Sequence, residues 1–297
     1  MPRSGINSAD TQRRRDMERI GVIGLGRMGG AIAQRMQAEG HPVIGWTRSG
    51  RPVEGTALAP DIATLVAQSD TLILSLLNDD AVASVLDACL ACDLSGKQII
   101  ETSTVVPTIL QDRITQIAQK GATGVDAPIS GGPDLVMAGT CGVFIGGDNA
   151  AAARASDTLC AISARIFHVG PLGTGLVMKT INNSMLQCYF GGLDDMMPLA
   201  KRAGIPLETA IRILCGGPAG VPMIADRIPK ILGQDTTVGF TISAAHKDND
   251  VFQRVVQAYG LTSPTLANAA KRQREALSEG MGEDDPAALV TAAYGRV

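Results

Sequence analysis

The sequence predicts a two-part α/β chain: a doubly wound, mostly parallel sheet domain, then an all-α domain, joined by one long helix. Three observations carry this. Strand and helix patterns alternate from Arg19 to Val169, as repeated βαβ units require. An unbroken helical pattern runs from Gly173 to Gly204, with Leu176, Met178, Ile181, Met185, Leu186, Leu193, Met196, Met197 and Leu199 at helical spacing. Beyond it, strand patterns nearly vanish. The expected bounds are 19–178 for the sheet domain and 179–297 for the helical one, with residues 1–18 as a disordered tail.

Composition sets the limits. A chain of 297 residues has room for about two domains. With 45% hydrophobic and 19% charged residues it can bury a sizeable core, and only 3% aromatics makes that core aliphatic. A net charge of -3 argues against a nucleic-acid partner. No apolar run is long enough to span a bilayer. The polar start, with Arg13, Arg14 and Arg15 together, does not read as a secretory signal, and Met17 is a candidate original start. Six cysteines in a chain this size read as reduced, cytoplasmic thiols; Cys89 and Cys92 lie in a helical pattern without a second ligand pair. His41, His168 and His246 lack metal-ligand spacing, so no metal site is expected.

Each element then falls in order. Arg19 to Gly24 reads as a short buried strand, followed by Gly24-Leu25-Gly26-Arg27-Met28-Gly29 and a helix over Ala31 to Ala38. This is the dinucleotide fingerprint in its required strand–turn–helix context, and it makes the first domain Rossmann-type. The first glycine allows the tight turn, the second admits the pyrophosphate, and the third lets helix and strand pack closely. The helix N-terminus then offers N–H groups to phosphate. The second strand, Pro42 to Trp46, ends in Thr47-Arg48-Ser49 rather than an acid. A cation and two hydroxyls suit a ribose 2′-phosphate, so NADP(H) is expected over NAD.

Asp70 to Leu77 is the next strand, and Asn78, Asp79 and Asp80 can cap the helix to Ala91. Gln98 to Glu101 ends in Thr102-Ser103-Thr104. Pro107 starts a helix to about Gln119. Thr123 to Ala127 delivers Pro128-Ile129-Ser130-Gly131-Gly132-Pro133. Strands at Thr140 to Gly146 and Arg165 to Val169 flank a helix at Ala150 to Ala161. From Pro206 onward helices are expected at Leu207–Cys215, Met223–Lys230, Ser243–Tyr259 and Ser263–Glu279, with a last short one after Pro286. On the long helix, Gly175, Lys179 and Asn183 fall on one stripe: a cleared approach, an ammonium and an amide. A polar stripe at a joint between domains is where a catalytic cleft is expected.

Five stretches together resemble the β-hydroxyacid dehydrogenase family. They are Gly21-Val-Ile-Gly-Leu-Gly-Arg-Met-Gly29, Thr102-Ser-Thr104, Asp126-Ala-Pro-Ile-Ser-Gly-Gly132, Gly173-x-Gly175-x-x-x-Lys179-x-x-x-Asn183 and His246-Lys247-Asp248. They come in the family's order over about residues 19 to 295. The resemblance implies a nucleotide domain, a helical second domain, and a homodimer or homotetramer built through the helical domains. It also implies roles. Lys179 looks like the catalytic acid/base, and Ser130, Gly131 and Gly132 like the cradle of a small substrate's carboxylate. Asn183 looks like a substrate-positioning residue, and Thr104 and Lys247 like contacts near nicotinamide and substrate. With Leu76 and Leu77 after the third strand, Thr104 and Lys247 complete the expected cofactor contacts of the fingerprint and of Thr47-Arg48-Ser49. The chemistry is coherent: hydroxyl and backbone N–H groups hold a carboxylate, and an ammonium supplies a proton to a carbonyl being reduced.

Four positions depart from the family's pattern. Leu77 stands where proline is frequent, Thr47 where asparagine is usual, and Asn249 where leucine is usual. Val221 replaces a serine in the pocket-lining glycine-rich turn, which puts a hydroxylated substrate such as tartronate semialdehyde in doubt. The leading expectation is an NADP(H)-dependent dehydrogenase of short hydroxy acids, or a reductase of aldehyde acids. An imine reductase shares the architecture but usually carries aspartate or tyrosine at the Lys179 position. A non-catalytic nucleotide-binding protein would lack the lysine or the cradle, and both are present.

Overall fold

The computed structural model describes residues 17–51 and 53–296. The chain divides into two compact units, one ending at Lys179 and the other beginning at Thr180.

The first unit is built on one sheet. Among the described residues its strands are β1 (Ile20–Ile23), β2 (Val43–Trp46), β3 (Ala57–Leu58), β4 (Thr71–Leu74), β5 (Gln98–Glu101), β6 (Thr123–Asp126), β7 (Ile129–Ser130), β8 (Gly142–Gly146) and β9 (Arg165–Gly170). They lie in the order β3-β2-β1-β4-β5-β6-β8-β7, with β9 also beside β8. Pairing is parallel from β3 to β6. β8 runs antiparallel to β6 and β7 and parallel to β9. The chain moves outward from β1 to β3, then returns to β4 on the other side of β1. That reversal makes the switch point at which ligands bind in open α/β sheets.

Helices α1 (Arg27–Ala38), α2 (Ile62–Gln68), α3 (Asp79–Leu90), α4 (Thr108–Gln111), α5 (Ile114–Gln119), α6 (Pro133–Met137) and α7 (Asn149–Leu159) connect the strands. Strands β1, β4 and β5 are buried along their whole length, as apolar runs covered on both faces must be. Alternate residues enter different cores. Ile20, Val22, Ile73 and Ile100 join one cluster; Ile23, Leu72, Leu74 and Ile99 join another. Side-chain caps start three helices: Asp61 on α2, Asn78 on α3 and Asp148 on α7.

Some boundaries differ from the sequence expectation, for local reasons. The helix expected from Pro107 to Gln119 is two pieces. The Ile109 carbonyl accepts from the Arg113 guanidinium, while the Arg113 N–H turns to Leu110, so the ladder breaks there. β3, α2 and the two-residue β7 were not anticipated. Met17 and Glu18 belong to the ordered chain rather than to the expected tail, whose residues 1–16 lie outside the described residues. The Glu18 carboxylate accepts from Thr71 at 2.7 Å and Thr158 at 2.5 Å and pairs with Arg154 at 2.7 Å. These bonds hold its pKa below the ordinary carboxylate value although burial opposes them.

The second unit is helical. α8 (Thr174–Arg202) enters it, with Pro198 inside its last turns. Then follow α9 (Leu207–Gly216), α10 (Pro222–Ala225), α11 (Ile228–Ile231), α12 (Ile242–Ala258), α13 (Pro264–Ser278) and α14 (Ala287–Gly295). The helix expected over Met223–Lys230 is split into α10 and α11. Pro229 has no N–H to return to Ala225, so one continuous ladder cannot form. Leu193, Met197, Ile211, Ile224, Ile231 and Val290 form the core. Polar contacts stitch the helices together. Arg272 on α13 pairs with Asp194 and Asp195 on α8. Asn249, the residue found in place of leucine, is fully buried and donates to the Leu266 carbonyl at 3.0 Å and to Gln273 at 3.2 Å. Gln273 continues to Gln187 on α8 at 3.2 Å.

Candidate active site

The site in the first unit starts at the switch point. Gly24 has φ +96°, a left-handed conformation that favours glycine. A Cβ on Gly29 would collide with the Gly24 carbonyl oxygen, so the third glycine sets how closely α1 meets β1. A Cβ on Gly26 would meet nothing within 4 Å, and Gly26 heads α1 without a side-chain cap. The turn is therefore open at the helix N-terminus, where free N–H groups meet phosphate. This geometry fits a dinucleotide. Leu25 and Met28 are partly buried, while Arg27 is exposed.

At the end of β2, Gly50 at φ +64° turns the chain, and its N–H donates to Thr47 at 3.1 Å. The Thr47 and Ser49 hydroxyls lie 3.4 Å apart, and the Arg51 N–H donates to Ser49 at 3.4 Å. Arg48 is exposed beside them. The turn thus collects two hydroxyls and two arginines; Arg51 was not anticipated.

After β4, the Leu76 N–H donates to the Ser103 hydroxyl at 2.8 Å, which joins this loop to the one after β5. Leu77 is 72% exposed, so the residue in the proline position lays apolar surface at the strand end. Thr104 is half-buried one residue beyond Ser103. The Ser103 N–H in turn donates to Glu101 at 2.6 Å. Glu101 is fully buried, and desolvation pushes its pKa up to about 7.

The segment after β6 carries the expected cradle. Ser130 ends β7, Gly131 has φ +133°, and Gly132 is extended and heads α6. A Cβ on Gly131 would sit 2.9 Å from Leu135 and 3.4 Å from Cys141, so this turn is both conformationally and sterically reserved for glycine. Lys179 reaches the same segment. It is only 7% exposed, and its Nζ donates to the Ile129 carbonyl at 2.6 Å. The ammonium is thus fixed one residue from Ser130.

The stripe read on the long helix needs one correction. Gly175 is not a cleared approach. A Cβ there would collide with the Phe144 carbonyl and lie 2.7 Å from Asp126 Oδ2. Its missing side chain lets the start of α8 close onto the sheet. Asn183 lies one turn beyond Lys179 on α8, in the second unit, and accepts from Asn182 at 3.0 Å. Lys247 is on α12 in the same unit and pairs with Asp248 at 2.7 Å. Val221 heads α10 with its side chain partly buried against the helical core.

Two buried acids beside the site were not singled out by the sequence reading. Asp126 opens the motif that ends at Gly132, and Glu101 ends β5. Their signal was available: each is an acid closing a buried strand immediately before a hydroxyl- or glycine-bearing loop. Cys89 is buried, and desolvation pushes its thiol up to about 12. Among the described residues no group of His, Cys, Asp and Glu could hold a metal, and no helix is long and apolar enough to cross a membrane.

A glycine turn open at a helix N-terminus, at the switch point of a parallel sheet, defines a dinucleotide-binding domain of the Rossmann class, and the buried Lys179 closes the same unit. Comparison with known proteins narrows the class. Residues 19–170 match the NAD-binding domain of 6-phosphogluconate dehydrogenase, and residues 173–293 match the domain described as NAD-binding of NADP-dependent 3-hydroxyisobutyrate dehydrogenase. The chain belongs to the β-hydroxyacid dehydrogenase family, with NAD(P)-dependent activity on the CH–OH group of hydroxy acids. It is 28% identical over 282 residues to 2-(hydroxymethyl)glutarate dehydrogenase from Eubacterium barkeri, covering 92% of this chain and 93% of that protein. The fold is that of 3-hydroxyisobutyrate dehydrogenase from Mycobacterium tuberculosis, solved with L-serine. Its TM-score is 0.84 at 24% identity, covering 95% of this chain and all of that one. An imine reductase variant from Myxococcus stipitatus, solved with NAD+, has TM-score 0.60 at 22% identity over 93% of this chain and 99% of that one.

Proposed function

We propose that the protein interconverts a short hydroxy acid and its aldehyde acid with NADP(H), using Lys179 as general acid/base. The observation that carries this is the buried Lys179 ammonium, 2.6 Å from the Ile129 carbonyl and next to the Ser130-Gly131-Gly132 turn. The cofactor, when bound, supplies or accepts the hydride. In reduction, Lys179 donates a proton to the carbonyl oxygen; in oxidation, its neutral amine takes one from the hydroxyl. Ser130 and the main-chain N–H groups of the glycine turn hold the substrate's carboxylate, with Asn183 and Lys247 as further substrate contacts. Arg48, with Thr47 and Ser49, holds the 2′-phosphate; the second arginine, Arg51, adds to the same positive end. A lysine at position 179, rather than aspartate or tyrosine, favours hydroxy-acid over imine chemistry.

We also infer a homodimer or homotetramer formed through the helical unit. Ile181, Met185, Met196 and Leu199 recur along α8 and stay exposed, which leaves apolar surface for a second copy to cover.

The test is a panel of short 2- and 3-hydroxy acids with NADP+ and NAD+, the matching aldehyde acids with NADPH, and a cyclic imine. Turnover of a hydroxy acid or aldehyde acid with preference for the phosphorylated cofactor is expected. Turnover of the imine alone would overturn the proposal.

A further inference from the structure

Asp126 is the last residue of β6 and is buried. Its carboxylate takes no part in the chemistry proposed above, yet its contacts are specific. Oδ1 accepts from the Gly173 N–H at 2.6 Å, and Oδ2 accepts from the Leu176 N–H at 2.8 Å. Those N–H groups open α8, where a helix has unpaired donors and a positive dipole end. The cap therefore comes from a strand 47 residues earlier rather than from the helix's own N-terminal residue. The space is built for it. A Cβ on Gly146 would collide with Oδ1, and a Cβ on Gly175 would lie 2.7 Å from Oδ2. Three residues after Asp126 on the same segment, the Ile129 carbonyl accepts from Lys179 at 2.6 Å. One short stretch thus grips α8 twice, once at its N-terminus and once at its lysine.

We propose that Asp126 is a positioning residue: its carboxylate fixes the start of α8 so that Lys179 is presented beside Ser130 in the reactive geometry. The proposal rests on the reading of Lys179 as the acid/base. It makes the strand end a common origin for the carboxylate cradle and the proton donor. A rotation or slip of α8 would separate them, and a misplacement of about 1 Å can cost roughly 100-fold in rate.

The carboxylate also titrates. Desolvation raises its pKa to about 6, against the lowering effect of the bonds from Gly173 and Leu176. The charged groups on neighbouring elements are few. Glu101 on β5 is its register partner and titrates near 7. β8 and the 170–173 turn hold no titratable residue, α7 brings Arg154, engaged by Glu18, and exposed Asp157, and α8 brings Lys179, engaged by Ile129. Protonation below about 6 removes a negative acceptor from the helix start.

The experiment compares the full-length wild type, Asp126→Asn, Glu101→Gln and Lys179→Ala. The probes are glyoxylate and succinic semialdehyde with NADPH, and NADPH binding is titrated separately. In the reduction direction the proton donor acts in its protonated form, so a loss of rate at low pH does not come from the donor. We expect Asp126→Asn to bind NADPH as the wild type does, to keep KM within a few-fold, and to lose about 10- to 100-fold in kcat. The wild-type kcat should fall with pH through about 6. That limb should persist in Glu101→Gln and vanish in Asp126→Asn. A folded Asp126→Asn variant with wild-type kcat, beside an inactive Lys179→Ala, would overturn the positioning role and leave the lysine reading intact. Normal turnover by Lys179→Ala would overturn both. If Asp126→Asn does not fold, amide exchange at Gly173 and Leu176 in the wild type decides. Faster exchange below pH about 6, in step with the kcat limb, supports the role; exchange or kcat flat across that range contradicts it.

Discussion

Lys179 and Lys247 are both candidate contacts for the substrate, one in each unit, and they are held in different ways. Lys179 is buried and donates to a main-chain carbonyl at the end of a strand. Lys247 is partly exposed and pairs with Asp248, its own neighbour on α12. The contrast extends to the surroundings. In the first unit, the main-chain N–H groups of Leu76 and Ser103 donate to the Ser103 hydroxyl and the buried Glu101 carboxylate. In the second, Asn183 is met by the side chain of Asn182. Main-chain anchoring on a sheet fixes a group to within the small motions of a close-packed core, whereas a lysine paired with a side chain moves with that side chain's rotamer. The first unit thus ties its lysine to the main chain of the sheet, and the second ties its own to a neighbouring side chain.

The largest effect that would break this contrast is at the glycine turn. Gly131→Val places a branched side chain at φ +133°, against Leu135 and Cys141. Acid reduction should fall by about 100-fold or more, with NADPH binding retained in a fluorescence titration. Normal KM for acids would make the turn merely structural. Next comes Arg48→Ala. Loss of a charged hydrogen bond worth about 1.5–3 kcal/mol should lower the preference for NADPH over NADH by roughly 10- to 150-fold, read as the ratio of kcat/KM values. An unchanged ratio would shift the assignment to Arg51. Lys247→Ala should act mainly on KM, by roughly 10-fold, at the low end of the same range. A fall in kcat as large as that of Lys179→Ala would erase the distinction between the two lysines.

The smallest effect on turnover, and an informative one on stability, is expected of Glu101→Gln. The Glu101 pKa is raised by burial from 4.5 to about 7, so the fold prefers its protonated form. Its favourable contribution is complete below 4.5 and is lost as pH rises through about 7. A shift of this size corresponds to about 3 kcal/mol. The Gln variant, which cannot ionise, should therefore gain stability over the wild type as pH rises from 5 to 8, measured by urea unfolding. A difference independent of pH would contradict the burial of an ionisable group there.

Most of the first unit was legible because its constraints are local. Gly24 and Gly29 announce a turn and a close helix–strand approach that need glycine, and buried strands announce themselves as apolar runs. The lysine on α8 was legible from helical spacing and family resemblance. What the sequence hid depends on side-chain detail within a helix or on contacts across long separations. The split of α4 and α5 follows from the Arg113 side chain taking the Ile109 carbonyl, and Pro229 divides α10 from α11 because it has no N–H to return to Ala225. Gly175 looked like an approach for substrate; its role against Phe144 and Asp126 depends on which strand α8 starts from. Asp126 was visible as an acid, but not as the cap of a helix 47 residues away.

In the proposed reaction Lys179, held by the Ile129 carbonyl, moves the proton. Single-turnover oxidation of NADPH by the best aldehyde acid, in wild type and in Lys179→Ala and Lys179→Arg, tests it most directly. General acid–base catalysis contributes about 10²–10⁴-fold, so the rate should fall by that factor in the alanine variant with NADPH affinity unchanged. The arginine variant should not restore it, because guanidinium does not give up its proton. A folded Lys179→Ala protein with a near-normal single-turnover rate would contradict the account.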